Sequence, residues 1–512
     1  MTTSTRTTPP ALDLPDVLAR IGYFLPYFSV NVVKTRWGSE KSQRRFRPNV
    51  FHKCFLVCRF WYSTLLPVLW RDYVYEEMQH LPPRVLGRYS LLFQHFDSYG
   101  GCQGPFNCTL LETLVLRRDH DQSKGSAVVH NMSMQTQRKL VRMNPGLEFL
   151  KWEGSESMRT RTRLEPHDFE LLDNLQELRL DRWNSYKGSL IKALRAVSRT
   201  LERLYIQEIH DFRESDIRTA LRTQGTGGVG GGGSGLVMPG ISLLRLPIFA
   251  NNMELVYLAG CCPSLLRLDL DILDIHLDAD RLAKTLKACC PNLRTLVIHD
   301  TRELPEGELE ISPLIRNCST RGLTKIDFNA MTHKVTDFDI IPSMLTHSAT
   351  LEHVYVDYFC EMQGALDPRD ILRLLVECRN LKSCFVAGGT GMSTLSSLKM
   401  LKSKPWTCKD LERLDLDFEG DFVASGRTYM SDMTAPAKIS SKTSFMGWYR
   451  HDQEPTYIDE ETSTVPKSWL KELFSMVKGF DRLQFVTLNL VTYSRSPNPT
   501  LTYDFAKYSK II

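Results

Sequence analysis

With 512 residues the chain is long enough for about three ordinary domains. Its formal net charge of +5 comes entirely from residues 31–50, where Lys34, Arg36, Lys41, Arg44, Arg45 and Arg47 face only Glu40. The neutral remainder argues against broad nucleic-acid binding, which needs a basic surface against phosphates, and no apolar run approaches the roughly 18 residues of a membrane span.

The first residues, MTTSTRTTPP, lack the apolar centre of a signal peptide. Residues 1–11 are therefore expected to be a disordered tail, and the protein to be cytoplasmic, nuclear or both. From Leu12 onward Leu14, Val17, Leu18, Ile21, Phe24 and Leu25 recur at helical spacing between Pro15, which suits a first helical turn, and Pro26, which ends the helix. A basic interruption at 29–48 reads as a solvated loop; nuclear import or contact with an anionic surface are the alternatives for its KSQRRFR run. The chain then turns apolar again, VFHKCFLVCRFWYSTLLPVLW over 50–70. Two or three helices of this kind carry more apolar surface than they can bury among themselves, which marks a docking surface. The competing readings are a helical cap on a repeat array and a zinc site at Cys54 and Cys58, for which no second pair completes the four ligands.

Leu14-Pro15, the apolar helix Leu18 to Leu25, Val57-Cys58-x-x-Trp61 and Leu69-Trp70 together resemble an F-box. That family's module is a knot of three helices that docks on a Skp-family adaptor, which in turn binds a cullin scaffold carrying a RING protein. The resemblance implies a module over 12–75 whose adaptor contacts come from Leu14, Pro15, Leu18, Ile21, Leu25, Val57, Cys58, Trp61, Leu69 and Trp70. The insert at 29–48 departs from the family's short loop, and either lengthens it harmlessly or hinders docking.

Residues 76–110 are expected to link and cap, with helices over Glu76 to His80 and Val85 to Phe96 interrupted by Pro82-Pro83, then a loop at GGCQGP. One phrase, Leu-x-x-Leu-x-Leu or a close variant, then starts at Leu111, Leu147, Leu175, Leu201, Ile241, Leu265, Leu293, Leu323, Leu351, Leu381, Leu411 and Leu483. From Leu265 to Leu411 the spacings are 28, 30, 28, 30 and 30 residues. Each phrase fits a short strand with its apolar side chains on one face, and Leu282 with Leu286 gives the intervening helix one apolar stripe. A unit that small cannot bury its apolar face alone, so neighbours must stack. The array is expected over 111–490, interrupted by a flexible glycine tract at 225–235 and a polar insertion at 420–466, the latter either disordered or a flap; 491–512 reads as a C-terminal tail. The pattern is similar to the leucine-rich-repeat family in its cysteine-containing variety. That resemblance implies an α/β solenoid, a horseshoe with a parallel sheet on the concave face and helices outside.

The 13 cysteines follow the repeat. Cys262, Cys290, Cys378 and Cys408 each precede the first Leu of a phrase by three residues, where Ser198 and Ser348 stand in other repeats. A position that accepts Cys or Ser wants a small, weakly hydrogen-bonding side chain at a helix end, so these thiols read as inert core residues rather than disulfide or metal partners. The sequons at Asn107, Asn131 and Asn317 read as incidental.

No nucleophile elbow, metalloprotease motif or paired carboxylate frame appears, and no cofactor or metal is expected. Recognition is the remaining function. If the first, fourth and sixth phrase positions face the core, the third, fifth and seventh line the open sheet. From Leu265 to Leu483 these supply Asp269, Asp271, Asp327, Asp357, Asp415 and Asp417 against Arg267, Lys325 and Arg413, a balance of −3. With His353, Tyr355 and Phe385 they are expected to receive a basic segment of a protein target; solvated strand charges of no consequence are the plainer reading. From Leu111 to Ile241 the same positions give Arg117, Lys151, Arg179, Arg203 and Arg245 against Glu153, Glu177 and Asp181, a balance of +2. The two resemblances together imply a non-catalytic substrate receptor of an SCF-type (Skp, cullin, F-box) ubiquitin ligase. The alternatives are a scaffold that binds the adaptor without cullin and a GTPase activator of leucine-rich type.

Overall fold

The computed structural model describes residues 14–34, 40–98, 106–116, 132–154, 164–185, 188–210, 212–213, 215, 236–248, 253–272, 277–300, 310–330, 339–358, 367–388, 399–419, 482–483, 485–491 and 500–504. The expected N-terminal tail, the glycine tract at 225–235 and the insertion at 420–466 lie outside these residues. The chain divides into two compact units, Met1–Leu265 and Leu266–Ile512. Each is a mixed α/β arrangement in which strands pair in parallel with helices between them.

The first unit opens with helix α1 (Pro15–Phe24), strands β1 (Phe28–Lys34) and β2 (Glu40–Phe46), and helices α2 (Asn49–Phe55) and α3 (Arg59–Leu69). Leu18, Phe51 and Leu65 are fully buried within this group. Gly22 lets α1 approach α3, since a Cβ there would stand 2.8 Å from Leu65 Cδ2.

The basic insert is a hairpin and not the expected loop: β1 and β2 pair antiparallel from Phe28↔Phe46 to Lys34↔Glu40. Val30, Val32 and Val33 give it strand propensity that its charges obscure. Its base is anchored, with Phe46 packed 5.3 Å from the Trp70 ring centroid, Tyr27 Oη donating to Asp72 Oδ2 at 2.8 Å and Arg44 pairing with Glu77 at 3.2 Å. Burial raises the Glu77 carboxyl and pushes the Tyr27 phenol up to about 12. Between hairpin and sheet a cavity of about 290 Å³ is lined by Phe28, Arg44, Glu77, His95 and Asp97 among others.

The sheet of this unit runs in chain order through β3 (Asp72–Val74), β4 (His95–Asp97), β5 (Thr113–Leu116), β6 (Phe149–Glu153), β7 (Glu177–Asp181), β9 (Arg203–Ile206) and β11 (Leu243–Ile248). β8 (Trp183–Asn184) and β10 (Ile209–His210) form a separate two-stranded ladder. The sheet therefore begins before Leu111, with β3 at the end of the stretch expected to be the helical module and β4 in the stretch expected to be a linker. The second linker helix ends at Tyr89, followed by a single tight turn at Ser90–Leu92, and His95–Asp97 is a strand. These early strands carry no leucine phrase because aromatic rings fill their core: Tyr73 stacks on Phe96 at 4.6 Å, and Phe106 packs on both.

In the second unit β12 (Arg267–Ile272), β13 (Thr295–Asp300), β14 (Lys325–Ala330), β15 (His353–Tyr358), β16 (Ser383–Gly388), β17 (Arg413–Glu419) and β18 (Phe485–Val491) pair parallel in chain order. β19 (Thr500–Asp504) then adds antiparallel to β18, so part of the expected tail is a strand. All twelve leucine phrases lead into strands. The register keeps equivalent residues side by side, so Leu268, Leu296, Ile326, Val354, Cys384 and Leu414 form one buried row. Helices such as Ala279–Cys289 turn Leu282, Ala283 and Leu286 inward.

Cys262, Cys290, Cys378 and Cys408 are fully buried, and Cys262 Sγ donates to the Leu258 carbonyl at 3.4 Å, as Ser198 Oγ does to Arg195 O at 2.9 Å. Burial pushes the Cys378 thiol up to about 12 and that of Cys408 up to about 11, which leaves no thiolate at neutral pH. Among the described residues no helix is long and apolar enough to cross a membrane.

Gly322 precedes the β14 phrase at φ +82°, and a Cβ there would meet Thr350 Oγ1 at 2.4 Å, the hydroxyl that donates to Leu323 O. Gly322→Ala should lower stability by roughly 1–3 kcal/mol, through left-handed backbone strain and a displaced hydroxyl, as read by urea unfolding.

Candidate functional site

Helix α1 is apolar on two stripes, and only one of them is covered. Leu18 and Gly22 are buried, whereas Leu14, Val17, Ile21 and Phe24, spaced three or four residues apart, are exposed, Phe24 at 87%. A second exposed group follows at the α2–α3 turn, where Leu56 is 77% exposed and Val57 more than half exposed, with Tyr62 on α3. Solitary exposed apolar residues need no explanation, but a whole stripe does.

The residues expected to contact an adaptor thus separate into two sets. Leu14, Pro15, Ile21, Val57 and Cys58 are exposed; Leu25 and Trp61 are half-buried. Leu18, Leu69 and Trp70 are core, Trp70 being stacked 4.4 Å from the Tyr89 ring, so their role is to support the surface. Val17, Phe24, Leu56 and Tyr62 belong to the exposed set and were missed, although the three-and-four spacing from Leu14 through Phe24 carries the signal.

The open face of the second unit is organised in rows by the parallel register. The third phrase positions Arg267, Thr295, Lys325, His353, Ser383 and Arg413 form one row; the fifth positions Asp269, Val297, Asp327, Tyr355, Phe385 and Asp415 form the next. Acid and base meet along the strand, two residues apart. Arg267 Nε donates to Asp269 Oδ1 at 2.7 Å, Lys325 Nζ lies 3.6 Å from Asp327 Oδ2, and Arg413 Nε pairs with Asp415 Oδ2. Asp269 and Asp415 are 4% and 3% exposed, so they are buried members of ion pairs and not the free surface charges that the sequence suggests.

In the middle of the row Tyr355 and Phe385 stack with ring centroids 4.2 Å apart and planes within 5° of parallel. Asp327 and Asp415 are the neighbours on either side. Tyr355 Oη donates to Asp357 Oδ2 at 3.1 Å, and burial raises both groups. His353 Nδ1 lies 2.8 Å from Ser383 Oγ, and burial lowers its imidazole. Asp271 is half-buried at the far end of β12; Asp417 lies in β17, its side chain outside the described residues.

Asp327 keeps a buried Oδ1 without a hydrogen-bond partner among the described residues, and burial raises its carboxyl despite Lys325. A carboxyl raised on folding holds its proton more tightly in the native state. Its contribution is therefore present below the unfolded value and is lost as pH rises through the folded one. Asp327→Asn should exceed the parent in urea midpoint at pH 7, with the difference closing by about pH 4, near the unfolded carboxyl value. A variant less stable at pH 7 would show that the Lys325 pair outweighs the burial.

No protein-family model matches the chain, and no curated protein sequence matches it.

Proposed function

We propose that this chain is the substrate receptor of an SCF-type ubiquitin ligase, an F-box module followed by a leucine-rich-repeat solenoid. The observation that carries this reading is the uncovered stripe Leu14, Val17, Ile21 and Phe24 on α1, in the segment whose sequence resembles the F-box and beside a core built from the same motif's Leu18, Leu69 and Trp70. A surface of this kind fits an apolar partner helix, here a Skp-family adaptor that brings cullin and RING subunits. The basic hairpin folds back onto Asp72 and Glu77, an arrangement consistent with an open α1 stripe.

The array would hold the target on its open face, where the Tyr355–Phe385 stack offers a flat surface with the half-buried carboxylates of Asp327 and Asp357 beside it. A basic segment suits it: guanidinium and ammonium groups bind ring faces and carboxylates alike. The chain's contribution to ubiquitin transfer would be proximity, making the encounter of target lysine and charged conjugating enzyme effectively intramolecular. No residue of it would touch the transferred ubiquitin.

Phe24→Asp with Val57→Asp should abolish adaptor co-purification without a change in melting temperature, because both side chains are exposed and a lost interface anchor commonly costs about 2 kcal/mol or more. Adaptor recovered without cullin would favour the scaffold reading. Undiminished adaptor capture by the double variant would remove α1 from the interface.

Asp327 and Asp357 replaced together by Asn should weaken target capture and flatten its salt dependence while the array stays folded, measured by pull-down at low and high salt. Unchanged capture would move the target site elsewhere on the chain.

A further inference from the structure

In the first unit one carboxylate holds two guanidiniums. Glu177 opens β7 on the face away from Leu178 and Leu180, and it is 4% exposed. Its Oε1 accepts from Arg179 Nε at 2.6 Å, and its Oε2 lies 3.0 Å from Arg203 Nε. Arg203 is its direct neighbour on β9, and Arg179 stands two residues along β7 on the same face. The Arg179 guanidinium also lies 4.5 Å from the Tyr205 ring centroid and 5.3 Å from that of Phe149, both on neighbouring strands.

This arrangement does more than neutralise a buried acid. One arginine would suffice for that, and the second leaves a surplus positive charge. Each guanidinium is engaged through Nε, its inner donor, and among the described residues the outer N–H₂ groups of the two arginines have no hydrogen-bond acceptor, which leaves the end-on fork that grips an oxyanion in two-point fashion. The aromatic contacts fix the plane of Arg179, while both side chains remain nearly half exposed, at 44% and 47%. Lys151 stands opposite Arg179 on β6, with the Asp181 carboxyl close enough to feel its charge. Asp181 and Glu153, one pleat further along, bound the site on that side.

We propose that Arg179 and Arg203, positioned by Glu177, form an oxyanion-binding fork that receives an anionic side chain of a protein ligand, either a phosphorylated residue or a carboxylate. The two sources share the chemistry of planar or tetrahedral oxygens presented to paired N–H donors. The site is separate from the acidic face of the second unit, and it stands whether or not the helical module docks an adaptor.

The test is direct binding of the purified full chain to three degenerate peptide libraries that differ only at a fixed central residue: phosphoserine, glutamate or serine. Retention of the phosphoserine or glutamate library about tenfold or more above the serine library is expected, the effect of one charge-assisted hydrogen bond. Preference for phosphoserine assigns a phosphate, and equal retention of the two anionic libraries a carboxylate. Arg179→Gln with Arg203→Gln should abolish that preference. Because this variant leaves the Glu177 charge buried and unpaired, the triple variant with Glu177→Gln is measured beside it as a neutral, hydrogen-bonding replacement of similar size. Equal retention of all three libraries by the parent, or an undiminished preference in the folded triple variant, would overturn the proposal.

Discussion

Everything on this sheet depends on the strict alternation of side chains along a strand, combined with a parallel register that shifts nothing between neighbours. Leu268 stands beside Leu296 and Ile326, and the intervening positions on the other face stand equally in line. A leucine at each core position therefore builds a continuous apolar layer, and each open-face position becomes one element of a row about 4.8 Å from the next. Slipping one strand by one residue would send its leucines to the open face and its charges into the core. The fixed spacing between successive phrases is thus a packing requirement.

The rows explain how the protein carries charge on a sheet. A carboxylate at a crowded fifth position loses water, and the recurrent remedy is a base two residues earlier on the same strand: Arg267 for Asp269, Lys325 for Asp327, Arg413 for Asp415. Removing water from such a group is costly unless a partner is near, and partners on one strand cannot drift apart. The first unit uses a related device with the order reversed, Glu177 before Arg179, and recruits Arg203 from the next strand. Net charge counts over a face are consequently poor guides to its binding chemistry, whereas charges in excess of their partners are informative.

The helical module shows the complementary situation, an apolar surface larger than its own core can use. Gly22 and Leu18 are consumed by the packing of α1 on α3, and the stripe through Phe24 is left over. The hairpin uses its own aromatic base, Tyr27, Phe28 and Phe46, to seal against Trp70 and the first strands. Its charges are spent partly on Glu77 and partly on solvent.

The sequence by itself determined the twelve leucine strands, their parallel stacking and the burial of Cys262, Cys290, Cys378 and Cys408, because each follows from local periodicity repeated at constant spacing. It missed β3 and β4, whose core is made by Tyr73, Phe93, Phe96 and Phe106 rather than by leucine, and it mistook the hairpin for a loop because charge masked the alternation of Phe28, Val30 and Val32. Of the candidate sites, residue type and face were legible. Exposure and partnership were not: that Leu18 and Trp70 are core while Phe24 is open, that Asp269 and Asp415 are buried in ion pairs, and that Glu177 joins two arginines. Those properties belong to pairs of residues separated by a strand or a helix, so only the tertiary structure, which sets which side chains share water and which exclude it, could decide them.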